Sequence, residues 1–328
     1  MRTSWPGTVI TRGFTTSSSG LMMLEMPYAS AVYLRNLLYD KGILKSYLVP
    51  PLVVSIGNIE AGGTGKTPFT MALASELGRL GYNVAIVTRG YRGRLHGPVE
   101  VGPSHNYRDV GDEPLLMART TGVPVIKSPD RCRGAAFAYR RLGAEIVLLD
   151  DGFQHRRIFR DLDICLVSGP LENERLLPAG RLREPVTSLK RACFIIDTKK
   201  DASIRIEGLI DFRGRLLSEI RADKIFAFCG IANPQRFFDT LRPFCAGIKT
   251  MIFADHHKYN AYDIRKIKKA ATGSDMIVTT EKDFVRMNQS WMDDRFHALK
   301  VSMRSDKMMD IVREIERLAE NRRISRQG

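Results

Sequence analysis

The feature that most constrains this chain is a glycine run set between an apolar stretch and a helical one. Leu52-Val53-Val54-Ser55-Ile56 has the apolar, β-branched character of a buried strand. Gly62-Gly63-Thr64-Gly65-Lys66-Thr67 follows. Pro68 then opens a segment with apolar residues at Phe69, Leu73, Leu77 and Leu80, which Gly81 closes. Strand, glycine loop, Lys-Thr and helix together make a phosphate cradle. Glycine lets backbone N–H groups turn inward toward phosphate oxygens, and the helix N-terminus adds the positive end of its dipole. Lys66 is placed to reach the β- and γ-phosphates of ATP, and Thr67 to hold Mg2+. The strict pattern has glycine five residues before Gly65. Glu60 and Ala61 stand at the start of this loop instead, so the expected nucleotide-binding run, Glu60 to Thr67, is a variant. A chance Lys-Thr in a glycine-rich turn would not need the strand before it or the proline-started helix after it.

The rest of the first two hundred residues repeats this rhythm. Val84–Val87, Val123–Ile126, Ile146–Leu149, Leu162–Val167 and Cys193–Ile196 read as strands, and 131–142 as a helix stopped by Gly143. Continuous apolar strands separated by helices predict a parallel sheet covered on both faces. The expected fold is a P-loop, doubly wound, mostly parallel α/β domain over 27–205. After a polar stretch at 206–223, read as a linker with short strands at most, alternation resumes. Ile225–Cys229, Thr250–Phe253 and Met276–Thr279 read as strands, with helices over 234–241, 262–271 and 307–318. They predict a second, smaller α/β lobe over 224–320, its last helix packing back on the first. Residues 1–26 are rich in Ser, Thr and Gly with no acid before Glu25, and 321–328 are polar. These read as an unfolded leader, transit-like or preceding a later start, and a loose tail.

A net charge of +15 draws the chain toward polyanions: nucleic acid, an anionic membrane or a phosphorylated substrate. Its basic residues are dispersed rather than gathered in a stripe with stacking aromatics, which argues against nucleic acid. Five cysteines without CxxC spacing exclude a disulfide framework or zinc knuckle and fit a reducing cytosol. No apolar run is long enough to cross a bilayer. From Tyr28 to Leu48 apolar residues fall at helical spacing with Arg35, Lys41 and Lys45 between them. That pattern suits a helix lying on a membrane surface or one packed on its own domain.

Other segments carry chemistry less specifically. Asp150 and Asp151 end the apolar strand, where P-loop proteins keep a carboxylate near Mg2+; Asp-Asp-Gly is also a turn. Asp112 reads as a helix N-cap ahead of Leu115 and Leu116. Taken in order, Gly57-Asn58, the glycine loop, Arg89-Gly90-Tyr91, Gly111-Asp112-Glu113-Pro114 and Asp150 to His155 resemble the tetraacyldisaccharide 4'-kinase family of lipid A biosynthesis. Leu177 to Pro185, Asp255-His256 and Thr279-Thr280-Glu281-Lys282-Asp283 complete the resemblance, which spans about residues 50–285.

The resemblance implies ATP-dependent phosphorylation of the 4'-hydroxyl of an acylated glucosamine disaccharide 1-phosphate, by a peripheral enzyme on the cytoplasmic face of the inner membrane. It implies Lys66 and Mg2+ on the γ-phosphate, with Thr67 and one or both of Asp150 and Asp151 around the metal. It places the base at Asp112, polarised by His256 across the cleft between the lobes. Asn58, Arg89, Tyr91, Gln154, Arg183 and Glu184 are implied for substrate and phosphate contacts. A guanidinium suits phosphate, which it binds bidentately. The competing reading is a partitioning-type P-loop ATPase switch. Such loops carry a second lysine early, where this chain has Glu60-Ala61.

Overall fold

The structure, a computed structural model, describes residues 18–327. It opens with helix α1 (Ser18–Asp40) and reaches the glycine loop between β1 (Leu52–Asn58) and α2 (Lys66–Arg79). Next come β2 (Val84–Thr88), β3 (Val99–Glu100), α3 (Tyr107–Val110), α4 (Asp112–Thr120), β4 (Val125–Lys127) and α5 (Arg131–Leu142). β5 (Ile146–Asp150), β6 (Leu162–Val167) and β7 (Phe194–Asp197) complete the first sheet. Its order is β3-β4-β2-β5-β1-β6-β7, parallel throughout except at the edge strand β3. In β1 the pleat sends Leu52, Val54 and Ile56 to one face, against Phe69, Leu73 and Leu77 of α2. Val53 goes to the other face, against Ala135 and Ala138 of α5. Both faces are therefore dry, and the glycine loop opens at the carboxyl end of a central strand, where doubly wound sheets bind ligands.

The second sheet uses β8 (Ala202–Asp211), β9 (Leu216–Leu217), β10 (Ala222–Cys229), β11 (Cys245–Ile252), β12 (Met276–Thr280) and β13 (Phe296–Ser305). Its order is β11-β10-β12-β13-β8-β9. Helix α6 (Pro234–Leu241) covers one face through Phe237, Phe238 and Leu241. Helix α7 (Ala261–Ala270) covers the other through Ile264 and Ile267. The short α8 (Glu281–Phe284) follows β12 directly. Helix α9 (Met308–Gln327) returns to the first lobe, burying Ile311, Val312 and Ile315 in the core beside β1.

Four expectations about element boundaries change. The stretch at 206–223 is not a linker: β8 begins at Ala202 and pairs antiparallel with β13 from Ala202↔Ser305 to Asp211↔His297. Ile204 and Ile206 alternate with Ser203, Arg205 and Glu207 as in a strand, with Ile206 packed against the second lobe's core and Ile204 exposed. The tail is ordered in α9, where Arg322 donates to the carbonyls of Val49, Pro50 and Pro51 and pairs with Asp161 at 2.8 Å. Of the leader, residues 1–17 lie outside the described residues, while Ser18 to Met26 belong to α1. The helix expected over 28–48 stops at Asp40, and Tyr47 instead bonds to the chain at Arg157 and Phe159. Along α1, Val32 is buried while Tyr33 and Leu34 are 67% and 54% exposed.

Candidate active site

The glycine loop has the backbone its sequence requires. Gly65 caps α2 at φ 81°, a left-handed conformation that glycine adopts without strain. A Cβ there would also stand 2.6 Å from Cε of Met303 on β13, the flexible end of a side chain that would have to shift. No side chain caps α2, which leaves its first N–H groups facing the cavity as an anion site. Asn58 braces the loop by donating to Thr64 Oγ1 at 2.8 Å, and Gln154 donates to the Asn58 carbonyl at 2.8 Å. Glu60 turns away from the phosphates. It is fully buried, accepts the Ser168 N–H at 2.7 Å and pairs with Arg181 at 3.6 Å, which ties the loop to the end of β6.

Two carboxylates lie opposite, in different electrostatic settings. Asp150 ends β5 fully enclosed, taking hydroxyl hydrogen bonds from Thr70 and Thr88 at 3.3 Å each. Burial, with Glu113 and Asp151 nearby, pushes its carboxyl up to about 7. For Asp151 burial also acts upward, but Lys66 at 3.4 Å and Arg183 at 3.1 Å outweigh it and hold the carboxyl below the usual range. Thr67, Asp150 and Asp151 offer only hard oxygen donors, the set that Mg2+ prefers. Among the described residues no group of three or more His, Cys, Asp or Glu could hold a metal ion. Phosphate oxygens would therefore complete the shell, as is usual for Mg2+.

Across the cleft, Asp112 starts α4 and meets His256 and Arg286 from the second lobe. His256 Nδ1 lies 2.9 Å from Asp112 Oδ2. Arg286 donates to the same oxygen from Nε at 2.9 Å and from Nη2. For Asp112 burial pushes the carboxyl up, but Arg286 and then His256 outweigh it and leave it below the ordinary value. His256 sits at φ 58°, an unusual conformation for a residue with a Cβ, held by its N–H bond to the Gly230 carbonyl. Beside it, Lys282 of α8 pairs with Glu113 at 2.6 Å.

One cavity of about 1090 Å3 joins these parts, lined by the glycine loop, Lys66, Asp150, Asp151, Asp112 and His256. Arg89, Tyr91 and Arg183, expected for substrate, also line it. Asn58 and Gln154 brace the loop from behind and are not on the cavity wall. Glu184 does not reach it either. Its carboxylate is fully buried and bonded to Arg35 at 2.8 Å, Asn36 at 3.1 Å and Arg191 at 2.8 Å, which fastens α1 to the first lobe. Sequence reasoning missed Arg286, though Asp283 and Arg286 stand at i, i+3 after α8 begins. It also missed Arg131, buried near Asp150 and Asp151 with its Nε unpartnered and its guanidinium pushed down to about 10 by burial.

A glycine loop at the end of a central parallel strand, facing acids on the neighbouring strand, defines a P-loop phosphotransferase. The chain belongs to the tetraacyldisaccharide-1-P 4'-kinase family, whose model matches residues 17–318. It is 36% identical to the tetraacyldisaccharide 4'-kinase of Syntrophus aciditrophicus, over 81% of this chain and 83% of that one. Identity to the same enzyme of Nitrobacter winogradskyi is 40%, over 73% and 75% of the two chains. The crystal structure of LpxK from Aquifex aeolicus in complex with ATP superposes with a TM-score of 0.79 at 29% identity, covering 92% of this chain and 98% of that one. Membership makes the chain an ATP-dependent kinase.

Proposed function

We propose that this chain moves the γ-phosphoryl group of ATP to the 4'-hydroxyl of an acylated glucosamine disaccharide 1-phosphate. The observation that carries the reading is the single cavity that joins the phosphate cradle to His256 and Asp112. Phosphoryl transfer needs positioning and charge neutralisation more than covalent help. Lys66 and the α2 N-terminus hold the β- and γ-phosphates. Thr67, Asp150 and Asp151 would hold Mg2+, whose charge would offset that of the phosphate oxygens. The raised carboxyl of Asp150 fits this role: burial outweighs Lys66 and Arg131 and favours its proton, and a metal ion beside it would offset that burial.

The acceptor hydroxyl must lose its proton as its oxygen bonds phosphorus. Asp112 already accepts from both Arg286 and His256, and its proton affinity is low. With Nδ1–H donated to Asp112, Nε2 of His256 keeps a free lone pair. In this reading His256 takes the proton and Asp112 orients it, an exchange of the roles expected from the sequence. The hydroxyl proton goes to Nε2, the oxygen forms the new P–O bond, and the bond from the γ-phosphorus to the β–γ bridging oxygen breaks. ADP leaves with that electron pair. Arg89 and Arg183 supply charge for the acceptor's phosphate.

No helix among the described residues is long and apolar enough to cross a membrane. The exposed Tyr33 and Leu34 of α1, on a chain of net charge +15, support peripheral contact with an anionic bilayer on its cytoplasmic side. The test is to supply Mg2+, γ-labelled ATP and a detergent-dispersed acylated disaccharide 1-phosphate to wild type and Lys66→Ala. Label in the lipid at the 4'-position with wild type alone is expected. ATP binding without transfer would remove the lipid acceptor and favour the ATPase switch.

A further inference from the structure

We infer that Arg286 is a positioning residue for the proton transfer, pinning the Asp112 carboxylate against Nδ1 of His256 and opposing that carboxylate's pull on an added proton. The inference rests on His256 as the proton acceptor.

Arg286 has a side chain only 2% exposed, and four of its five N–H groups donate to the protein. Nη1 donates to the Gly230 carbonyl at 3.1 Å and pairs with Asp283 at 3.1 Å. Asp283 is fully buried and is itself fixed by the Tyr259 hydroxyl at 2.9 Å, the Thr280 hydroxyl at 2.7 Å and the Gly230 N–H at 3.0 Å. One edge of the guanidinium is thus anchored in the second lobe. The other edge, Nε and Nη2, crosses to Asp112 of the first lobe. Both donors converge on Oδ2 and hold that one oxygen beside His256 Nδ1, while Oδ1 accepts the Glu113 N–H at 3.0 Å, so the carboxylate is fixed at both oxygens. Gly230 also receives the His256 N–H at its carbonyl, so Arg286 and His256 share one anchor.

Charge follows from the same geometry. Arg286 Nη2 lies 3.2 Å from His256 Nδ1. A buried carboxylate alone would favour imidazolium, which cannot accept the hydroxyl proton. The guanidinium offsets that carboxylate at contact distance. The other charges facing His256 are Asp255 in its own loop, with Oδ2 4.0 Å from Nε2, and across the cavity Lys66, Asp150 and Asp151. Arg236 of α6, the Glu113–Lys282 pair, and Arg89, Arg131, Arg183 and Lys199 carry the remaining charges on the same cavity wall.

The experiment measures phosphate transfer to the acylated disaccharide 1-phosphate against pH for wild type, Arg286→Gln and Arg286→Lys, with Tm recorded for each. For Arg286→Gln the acid limb of kcat is expected to move up by about one pH unit. Its kcat at pH 7 should fall about ten-fold with KM for ATP unchanged. Arg286→Lys should keep the limb near its wild-type position but lose kcat, because a single ammonium cannot hold both edges. Wild-type kcat and profile in Arg286→Gln would overturn the inference. Should Arg286→Gln fail to fold, wild-type kcat in Arg286→Lys would overturn the positioning role. A wild type that transfers nothing to the lipid would remove the proposed function, and this inference with it.

Discussion

The two ends of the cavity are built in different ways. The phosphate end comes from one unbroken stretch: Asn58 to Thr67 turns on its own glycines, and its brace from Asn58 to Thr64 spans six residues. The acceptor end has no local existence. His256 reaches Asp112 across 144 residues of sequence, and Arg286 reaches it across 174. Backbone N–H groups do the work at the first end, whereas a charged side-chain cluster spanning two lobes does it at the second. Binding of the donor should therefore survive damage to the lobe junction, and catalysis should not.

Lys66→Ala tests the phosphate end and should have the largest effect, a loss of about 1000-fold or more in kcat/KM with weakened ATP binding. Direct nucleotide titration beside the transfer assay checks both parts. Asp112→Asn tests the junction. It should lower kcat about 100-fold while ATP affinity stays at the wild-type level. Equal losses of ATP affinity in the two variants would erase the distinction between the ends.

Asp150→Asn gives a smaller effect of opposite sign, read in stability. Asp150 is pushed up to about 7 in the native state, against roughly 3.9 in an unfolded chain. The native state therefore binds more protons between these values, so the contribution of this group to stability falls as pH rises from about 4 to about 7. A neutral asparagine removes that slope. Without Mg2+ at pH 8 the variant should melt about 2 °C or more above wild type while losing activity. Added Mg2+ and ATP should narrow the gap by stabilising the wild type.

The same contrast explains what could be read from the sequence. The first sheet was legible because its strands are short apolar runs and its site residues sit at strand ends within single motifs. In the second lobe β10 and β12 were legible for the same reason, β11 only in its last residues, and β13, which pairs parallel with β12, not at all. β8 was not, since Ile204 and Ile206 are interleaved with charged residues and their partner strand begins near residue 296. Arg286 was invisible as a functional residue because nothing near it in sequence announces Asp112. Glu184 shows the other direction: its motif matched, while in the fold Arg35, Asn36 and Arg191 occupy its carboxylate away from the cavity wall. Asp112 and His256 were found as a pair, while Arg286, which lies against both, is brought to them only by the packing of the lobes.

The most direct measurement is single-turnover transfer from prebound γ-labelled ATP to the acylated disaccharide 1-phosphate, comparing wild type with His256→Ala. The account predicts unchanged ATP affinity and a transfer rate lower by about 100-fold to 10000-fold at pH 7. Transfer at the wild-type rate, or a loss traced wholly to weaker ATP binding, would contradict it.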